Sequence, residues 1–537
     1  MSLHLNQQCQ RATKTDAQSR PSFEGRPRRL DFDDHLSDRV GHRCGDTHLG
    51  ERFQPVKHFL KLSYTKTTNT RKSTGLGHSG EAVDRLSTPC PPFRTACHRE
   101  SLTGVPQLVL ANPDDSLPSD KERMQMATDT GGASLVALTP MNPAYQADPH
   151  AVLAPLRAAC PVARDPAAGT FIVTRYADAH RVLANRDTYR DGAKAEAGAH
   201  LARRQAAQIP QDIPRTEIVS ILQLDDPDHA RIRRPLQRAF YARVKTCGPR
   251  VEQVIDAALD AIDPSQPFDL MATYCVPIPV DAIAAILGVD GERLDDFRRW
   301  SEGVILGLNP FRSAEQSDEL ERCRNALHAY FHEVIAARRA APRDDLISDM
   351  VTLQRDGADI TGNELAVNLI ALLVGGNLTT TDLIGNGARL LMLNPGERDK
   401  LLAAPSLAPA LVEEVLRFEG PIDMTQRIMA NDAEVGGCPV AARQVVTTVL
   451  RAANRDPAVY DEPDQFVIDA KRPPHLSFGG GSHICIGAPL ARLEGQLALL
   501  KLFQRFPALR LAEPEAAPKW RTLPFFRGLE ELHVNAQ

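Results

Sequence analysis

The densest chemistry in the chain lies in HLSFGGGSHICIGAPLARLEG, His475 to Gly495. Gly479, Gly480 and Gly481 permit backbone conformations and close approaches that other residues resist. Cys485 follows, then Gly487, which leaves room beside the backbone just past the sulfur. Pro489 suits the first turn of a helix, and APLARLEGQLALLKLF carries the helical apolar period. Cys485 is therefore expected at or just before a helix N-terminus, where N–H groups and the helix dipole favour a thiolate. A thiolate held there is a nucleophile, a redox thiol or a metal ligand. A phosphate loop is excluded because no lysine follows the glycines, and a dinucleotide fingerprint fails at Ile484. A Cys–His nucleophile using His483 shows no orienting group. A structural buried cysteine does not account for four glycines and a phenylalanine around one sulfur.

A second stretch, GGNLTTTD from Gly375 to Asp382, interrupts an apolar segment that otherwise reads as a buried helix. Thr361-Gly362-Asn363-Glu364 is a capping-box pattern, and Pro395 ends the segment after Asn394. Such a helix would run roughly 50 Å at about 1.5 Å per residue. Each glycine inside it costs up to about 1 kcal/mol relative to alanine. Either Gly375 and Gly376 pack closely against another element, or they open the helix locally. A threonine such as Thr379 can also bond back to the carbonyl one turn earlier.

These blocks carry a resemblance. FGGGSHICIG matches the heme-ligand loop of the cytochrome P450 superfamily, F-G-x-G-x-H-x-C-x-G, at every fixed position. Glu414-Val415-Leu416-Arg417 resembles the family's E-x-x-R, and Ala452-Ala453-Asn454-Arg455-Asp456-Pro457 is similar to the A-N-R-D-P of soluble bacterial members. Asp226 to Arg234, DPDHARIRR, resembles the start of the family's C helix. The resemblance covers residues 138 to 537 and implies heme b as cofactor, with Cys485 the axial thiolate on its iron. It implies that Gly487 lets backbone N–H groups reach the sulfur and that Phe478 packs against the heme. His229, Arg233, Arg427 and His483 would meet the propionates. Glu414 and Arg417 would be structural; a third partner, counted back along the chain, falls at Ala470, with Lys471 and Arg472 next to it. In the long helix, Gly375 and Gly376 would make room for dioxygen and Thr379 would offer it a hydroxyl. Leu378 stands where most members carry an acid, so Asp382, three residues past Thr379, is an alternative proton carrier whose commoner role is structural.

The elements around these residues are mainly helical with a small β portion. GTFIVTRYADAHRVLAN reads as strand then helix; strand-like runs appear near Ala433–Val435, Gln444–Leu450 and the C-terminus. The expected fold is that of a cytochrome P450, with its long central helix over a buried heme, in residues 131–537. Residues 1–130 are net +3 against −8 for the rest and hold no sustained period. They are expected to be an extension outside the fold, disordered or upstream of a true start at Met124 or Met126. A zinc site from Cys90, Cys97 and His98 lacks a fourth ligand. Net charge of −5 over 537 residues gives no reason to expect nucleic-acid binding. No uninterrupted apolar run of spanning length or signal core is visible, so no membrane association and a cytoplasmic location are expected. Ten cysteines without a C-x-x-C pair fit a reducing compartment.

The expected activity is insertion of one oxygen atom from O2 into a small apolar substrate. Electrons would come from a separate ferredoxin or flavodoxin with its reductase. The basic run Arg231, Arg234, Arg238, Arg243 and Lys245 could steer an acidic partner. Two other readings are a peroxide-driven oxidase and a non-enzymatic heme sensor.

Overall fold

A computed structural model of the chain describes residues 134–202, 213–309 and 312–537. The expected extension, 1–130, lies outside the described residues, as do Cys90, Cys97 and His98. Helix α1 (Pro149–Ala159) leads through β1 (Val162–Asp165) and β2 (Thr170–Val173) to α2 (Tyr176–Ala184) and β3 (Thr188–Tyr189). Helices α3 (Asp228–Val244), α4 (Pro277–Leu287) and α5 (Ala314–Ala340) follow. The long helix is α6 (Gly362–Leu393), succeeded by α7 (Ala408–Glu419). Strands β4 (Met424–Met429), β5 (Ala433–Val435), β6 (Cys438–Val440) and β7 (Val445–Val449) precede α8 (Ala488–Arg505).

Five strands make one sheet in the order β1-β2-β7-β4-β3, in which β2 and β7 run parallel and the other neighbours antiparallel. β7 lies inside the sheet and is buried along its whole length, so VVTTV reads as β-branched residues without polar alternation. β5 and β6 form a separate hairpin. The three strand-like runs expected near 433–435, 444–450 and the C-terminus all form.

The capping box that starts α6 closes in both directions. The Thr361 hydroxyl accepts from the Glu364 N–H at 3.1 Å, and the Glu364 carboxylate accepts from the Thr361 N–H at 2.9 Å. The helix then runs unbroken for 32 residues. By length and composition it could cross a membrane, contrary to the expectation that no such segment exists. Its hydropathy is that of a core helix. Leu365, Leu369, Leu373, Leu383, Ile384 and Leu391 share one core with Leu411 and Val415 of α7 and Leu499 and Leu502 of α8. Each such side chain contributes about 1.5–3 kcal/mol by leaving water.

Small residues set how α6 meets α8. A Cβ on Gly495 would stand 3.1 Å from Leu383 Cδ2, and one on Gly387 would stand 2.7 Å from Leu499 Cδ1. Four residues forward on α6 thus correspond to four forward on α8, so the helices run in the same sense. Thr379 and the start of α8, where Cys485 sits, consequently lie toward the same end of the pair.

Candidate active site

Cys485 precedes α8 as expected, with Gly487 as the residue before the helix and Pro489 in its first turn. The loop that delivers it is tied at both ends. The Asn454 amide oxygen accepts from the Leu476 N–H at 2.8 Å and its NH2 donates to Ser477 Oγ at 2.8 Å; Ser477 Oγ in turn donates to the Leu416 carbonyl at 2.6 Å. The Cys485 N–H closes the loop on the Phe478 carbonyl at 2.9 Å. Gly479 and Gly481 have φ of +70° and +68°. A Cβ on Gly481 would stand 2.5 Å from the Leu183 carbonyl oxygen of α2, so glycine is required there on two counts.

The sulfur has accessible surface, yet protein crowds its neighbourhood. That crowding decides its protonation in the protein alone: burial pushes the thiol pKa up, against the Gly487 and Ala488 N–H groups, Arg233 and Arg492, which pull it down. The N–H groups of the helix start favour the thiolate as the sequence suggested, and burial opposes them. Desolvation outweighs them until a cation is bound. A Cβ on Gly487 would meet only Cys485 Sγ, at 3.8 Å, so this glycine keeps space beside the sulfur itself.

A ring of basic side chains surrounds this loop. Arg233 of α3 donates to the Ile484 carbonyl, and Arg427 of β4 donates to the Gly480 carbonyl at 3.2 Å. His229, one turn before Arg233, packs against His483 with the rings tilted by 31° and their centroids 4.1 Å apart. His229 Nδ1 lies 3.4 Å from Asp226, while its Nε2 is buried without a partner. The histidines are held neutral. Burial and then Arg233 lower the His229 pKa; burial, His229, Arg190, Arg427 and Arg233 lower that of His483 to about 2. Burial and then Arg190 bring Arg427 down to about 9, with Asp225 opposing.

Arg190 is the member that sequence reading missed. It directly follows β3 and donates to Thr425 Oγ1 at 2.6 Å, the Gln426 carbonyl at 3.0 Å and the Leu222 carbonyl at 3.2 Å. It therefore pins the segment before α3 to strand β4. No motif surrounds it; the only available signal was an arginine directly after a short strand-forming pair.

Phe478 packs under the Arg492 guanidinium, 4.6 Å from its ring centre, and Arg492 is held by Glu413 at 2.7 and 2.9 Å. Glu414 and Arg417 of α7 form a buried bidentate pair with both bonds at 2.7 Å. The counted position is an alanine, Ala470, and of the two neighbours expected to substitute, Lys471 and Arg472, it is Arg472 that reaches Glu414, at 3.2 Å. That contact is close enough for an ion pair but not aligned as a hydrogen bond.

On α6, the Thr379 hydroxyl donates to the Gly375 carbonyl at 2.7 Å. A Cβ on Gly375 or Gly376 would meet nothing within 4 Å. The expectation of close packing is thereby set aside, and so is that of a broken helix: the open space lies beside an intact one. Leu378 and Asn377 are buried. Asp382 is fully buried and paired with Arg521 at 2.7 Å, facing Gly528 rather than the open side.

The expected basic run divides. Arg231 is bound to Glu364 at 2.6 Å and Arg243 to Asp349 at 2.6 Å, whereas Arg234, Arg238 and Lys245 are exposed. Residues 203–212 and 310–311 lie outside the described residues.

With this geometry in hand, comparison with known proteins is informative. The sequence model described as Cytochrome P450 matches residues 304–521. Cytochrome P450 107B1 of Saccharopolyspora erythraea is 35% identical over 366 residues, covering 68% of this chain and 88% of that protein. The chain belongs to the cytochrome P450 family. Vitamin D(3) 25-hydroxylase of Pseudonocardia autotrophica is 34% identical, with 72% of this P450 and 93% of the relative covered. Among solved structures, a myxobacterial P450 in complex with myristic acid superposes with a TM-score of 0.65 at 34% identity, over 74% of this chain and 98% of that one. The fold is therefore the P450 fold, the protein a P450 monooxygenase and its cofactor heme b.

The residues fit that cofactor. Among the described residues, no three His, Cys, Asp or Glu side chains cluster to hold a metal. A lone thiol at a helix start suits an iron that is otherwise held by its own macrocycle. A buried basic ring with an unpartnered His229 Nε2 suits the two carboxylates that the macrocycle carries.

Proposed function

We propose that this P450 oxygenates a small apolar molecule, using electrons delivered by a separate ferredoxin or flavodoxin. The observation that supports this best is the convergence of Arg233, Arg427, His229 and His483 on the loop that carries Cys485. In this reading Cys485 would ligate the heme iron through its sulfur, tuned by the N–H groups of Gly487 and Ala488. Arg233, Arg427, His229 and His483 hold the propionates, and Phe478 packs against the heme. Bound heme supplies the redox chemistry, by which O2 is activated with two electrons and one of its atoms enters the substrate.

The chain's own residues then control space and protons. Gly375 and Gly376 keep the flank of α6 open. The Thr379 hydroxyl, which has one donor and two acceptor positions, is parked on the Gly375 carbonyl. Turned away from it, Oγ donates its proton into the open space and takes another from water. Leu378 cannot supply that proton, and Asp382 is committed to Arg521. Solvent is therefore the proton source.

The apolar residues Ile221, Leu224 and Val304, packed into the core beside this site, support an apolar substrate. So do a relative named for vitamin D(3) and a neighbour that holds myristic acid. The exposed Arg234, Arg238 and Lys245 support an acidic electron donor. A cytoplasmic site of action follows from such a donor.

The missing acid also favours a second reading, in which peroxide replaces O2 and electrons. The sensor reading is dropped, because the family is enzymatic. One experiment separates the remaining two: apolar ligands are screened for a shift of the heme absorption band, then turned over with a ferredoxin system or with hydrogen peroxide. The first reading expects most product from the ferredoxin arm and a thiolate-type spectrum with carbon monoxide. Product from peroxide alone overturns it.

A further inference from the structure

Away from the heme site, two thiols converge on one carbonyl. Cys160 follows α1 and leads into β1; Cys438 opens β6. Cys160 Sγ lies 3.5 Å from the Val162 carbonyl oxygen, and Cys438 Sγ lies 3.9 Å from the same atom. The sulfurs can thus be no further apart than those two distances laid end to end, although the chain separates them widely.

The setting explains the convergence. β1 is an edge strand, and the Pro161 carbonyl already bonds toward β2 through the Thr174 N–H at 3.0 Å. The next carbonyl, that of Val162, points the other way by the alternation of a strand. The hairpin β5–β6 covers it. At the hairpin turn Gly436 has φ of +56°, and a Cβ there would stand 2.6 Å from Val162 Cγ2. The hairpin is pressed onto the edge by packing, and no covalent tie holds it.

We propose that Cys160 and Cys438 are a peroxide-responsive redox pair whose disulfide fastens the hairpin β5–β6 to the edge strand β1. Cys160 is exposed and meets the oxidant first. Its thiolate attacks one peroxide oxygen; the O–O bond breaks, leaving a sulfenic acid and one water. The Cys438 sulfur then displaces the hydroxyl from Cys160. An S–S bond forms and the second water leaves. Two thiols lose two electrons and two protons, and the peroxide accepts both. Burial first, then the charge of Cys160 and the acids Asp178 and Glu434, raise the Cys438 pKa, which suits it to the second step rather than the first. The disulfide requires rotation about the side-chain bonds that brings the sulfurs to bonding distance, about 2.05 Å.

The test uses the full chain with heme bound, treated with low hydrogen peroxide, alkylated, digested without reductant and weighed by mass spectrometry. The expected product is a peptide joining the segments around residues 160 and 438, two hydrogens lighter than its parts and lost on adding dithiothreitol. Oxidation is expected to raise Tm by a few degrees, and C438S to abolish both the joined peptide and the shift. In C438S, Cys160 stays as a sulfenic acid that dimedone traps. Oxidation of Cys160 to its sulfinic acid in the native chain without the joined peptide would overturn the proposal. A disulfide that links two chains, or one that forms only after denaturation, would overturn it as well.

Discussion

Two pairs of glycines on α6 look alike in sequence and differ in what surrounds them. Beside Gly375 and Gly376 there is open space; at Gly385 and Gly387 a Cβ would stand 2.4 Å from Met271 Sδ and 2.7 Å from Leu499 Cδ1. The first pair leaves room for something other than protein, and the second lets neighbouring elements approach. One helix therefore has a chemical half and a structural half, with Thr379 bonded to Gly375 in one and Asp382 locked to Arg521 in the other. The same residue type serves opposite purposes, and only the surroundings tell which.

The largest test of this division is Asp382→Ala. Removing one partner of a buried ion pair costs about 3–5 kcal/mol, toward the lower end here because Arg521 retains some exposure. Chemical unfolding should show that loss. A variant that kept its stability but lost proton delivery would move Asp382 to the chemical half. Next is Gly387→Ala, which forces Leu499 aside and should cost about 1–3 kcal/mol. Its heme spectrum and ligand shifts should stay those of the parent. An unchanged Tm would mean that the contact with α8 is slack.

The Cys485 loop was legible because its signal is local: the glycines, sulfur and proline act over a dozen residues of continuous chain. The start of α6 was legible for the same reason. What depends on distant packing was not. The choice between Lys471 and Arg472 as third partner of Glu414 fell to Arg472 because the loop after Gln465 bends back, a geometry that spacing does not show. Arg190 had no neighbours in sequence to mark it, since its partners Leu222, Thr425 and Gln426 come from two other segments. GGNLTTTD left close packing and local opening both open in sequence; α6, packed on α4, α5, α7 and α8, is continuous there and has free space beside it. Burial, which a sequence does not show, raises the Cys485 thiol pKa in the protein alone against the N–H groups of the helix start.

Gly376→Ala should have an effect of opposite sign to Gly387→Ala. The added methyl meets no atom and removes backbone freedom from the unfolded chain, so stability should rise by up to about 1 kcal/mol. Ligand binding should weaken, because the methyl occupies the open side. A rise in stability with ligand affinity unchanged would mean that the space is never used.

The smallest change in stability, and the sharpest in chemistry, is expected of Thr379→Ala. It removes a 2.7 Å bond to the Gly375 carbonyl but replaces a β-branched residue with the best helix former. The two effects oppose, and the net should fall within about 0.5 kcal/mol. If Thr379 handles the proton, product formed per electron should fall while peroxide release rises, and Thr379→Ser should restore much of the coupling. If the hydroxyl only ties the helix to itself, coupling would be indifferent to both substitutions. Then the chemical half of α6 would shrink to the space beside two glycines, and protons would reach the site through water alone.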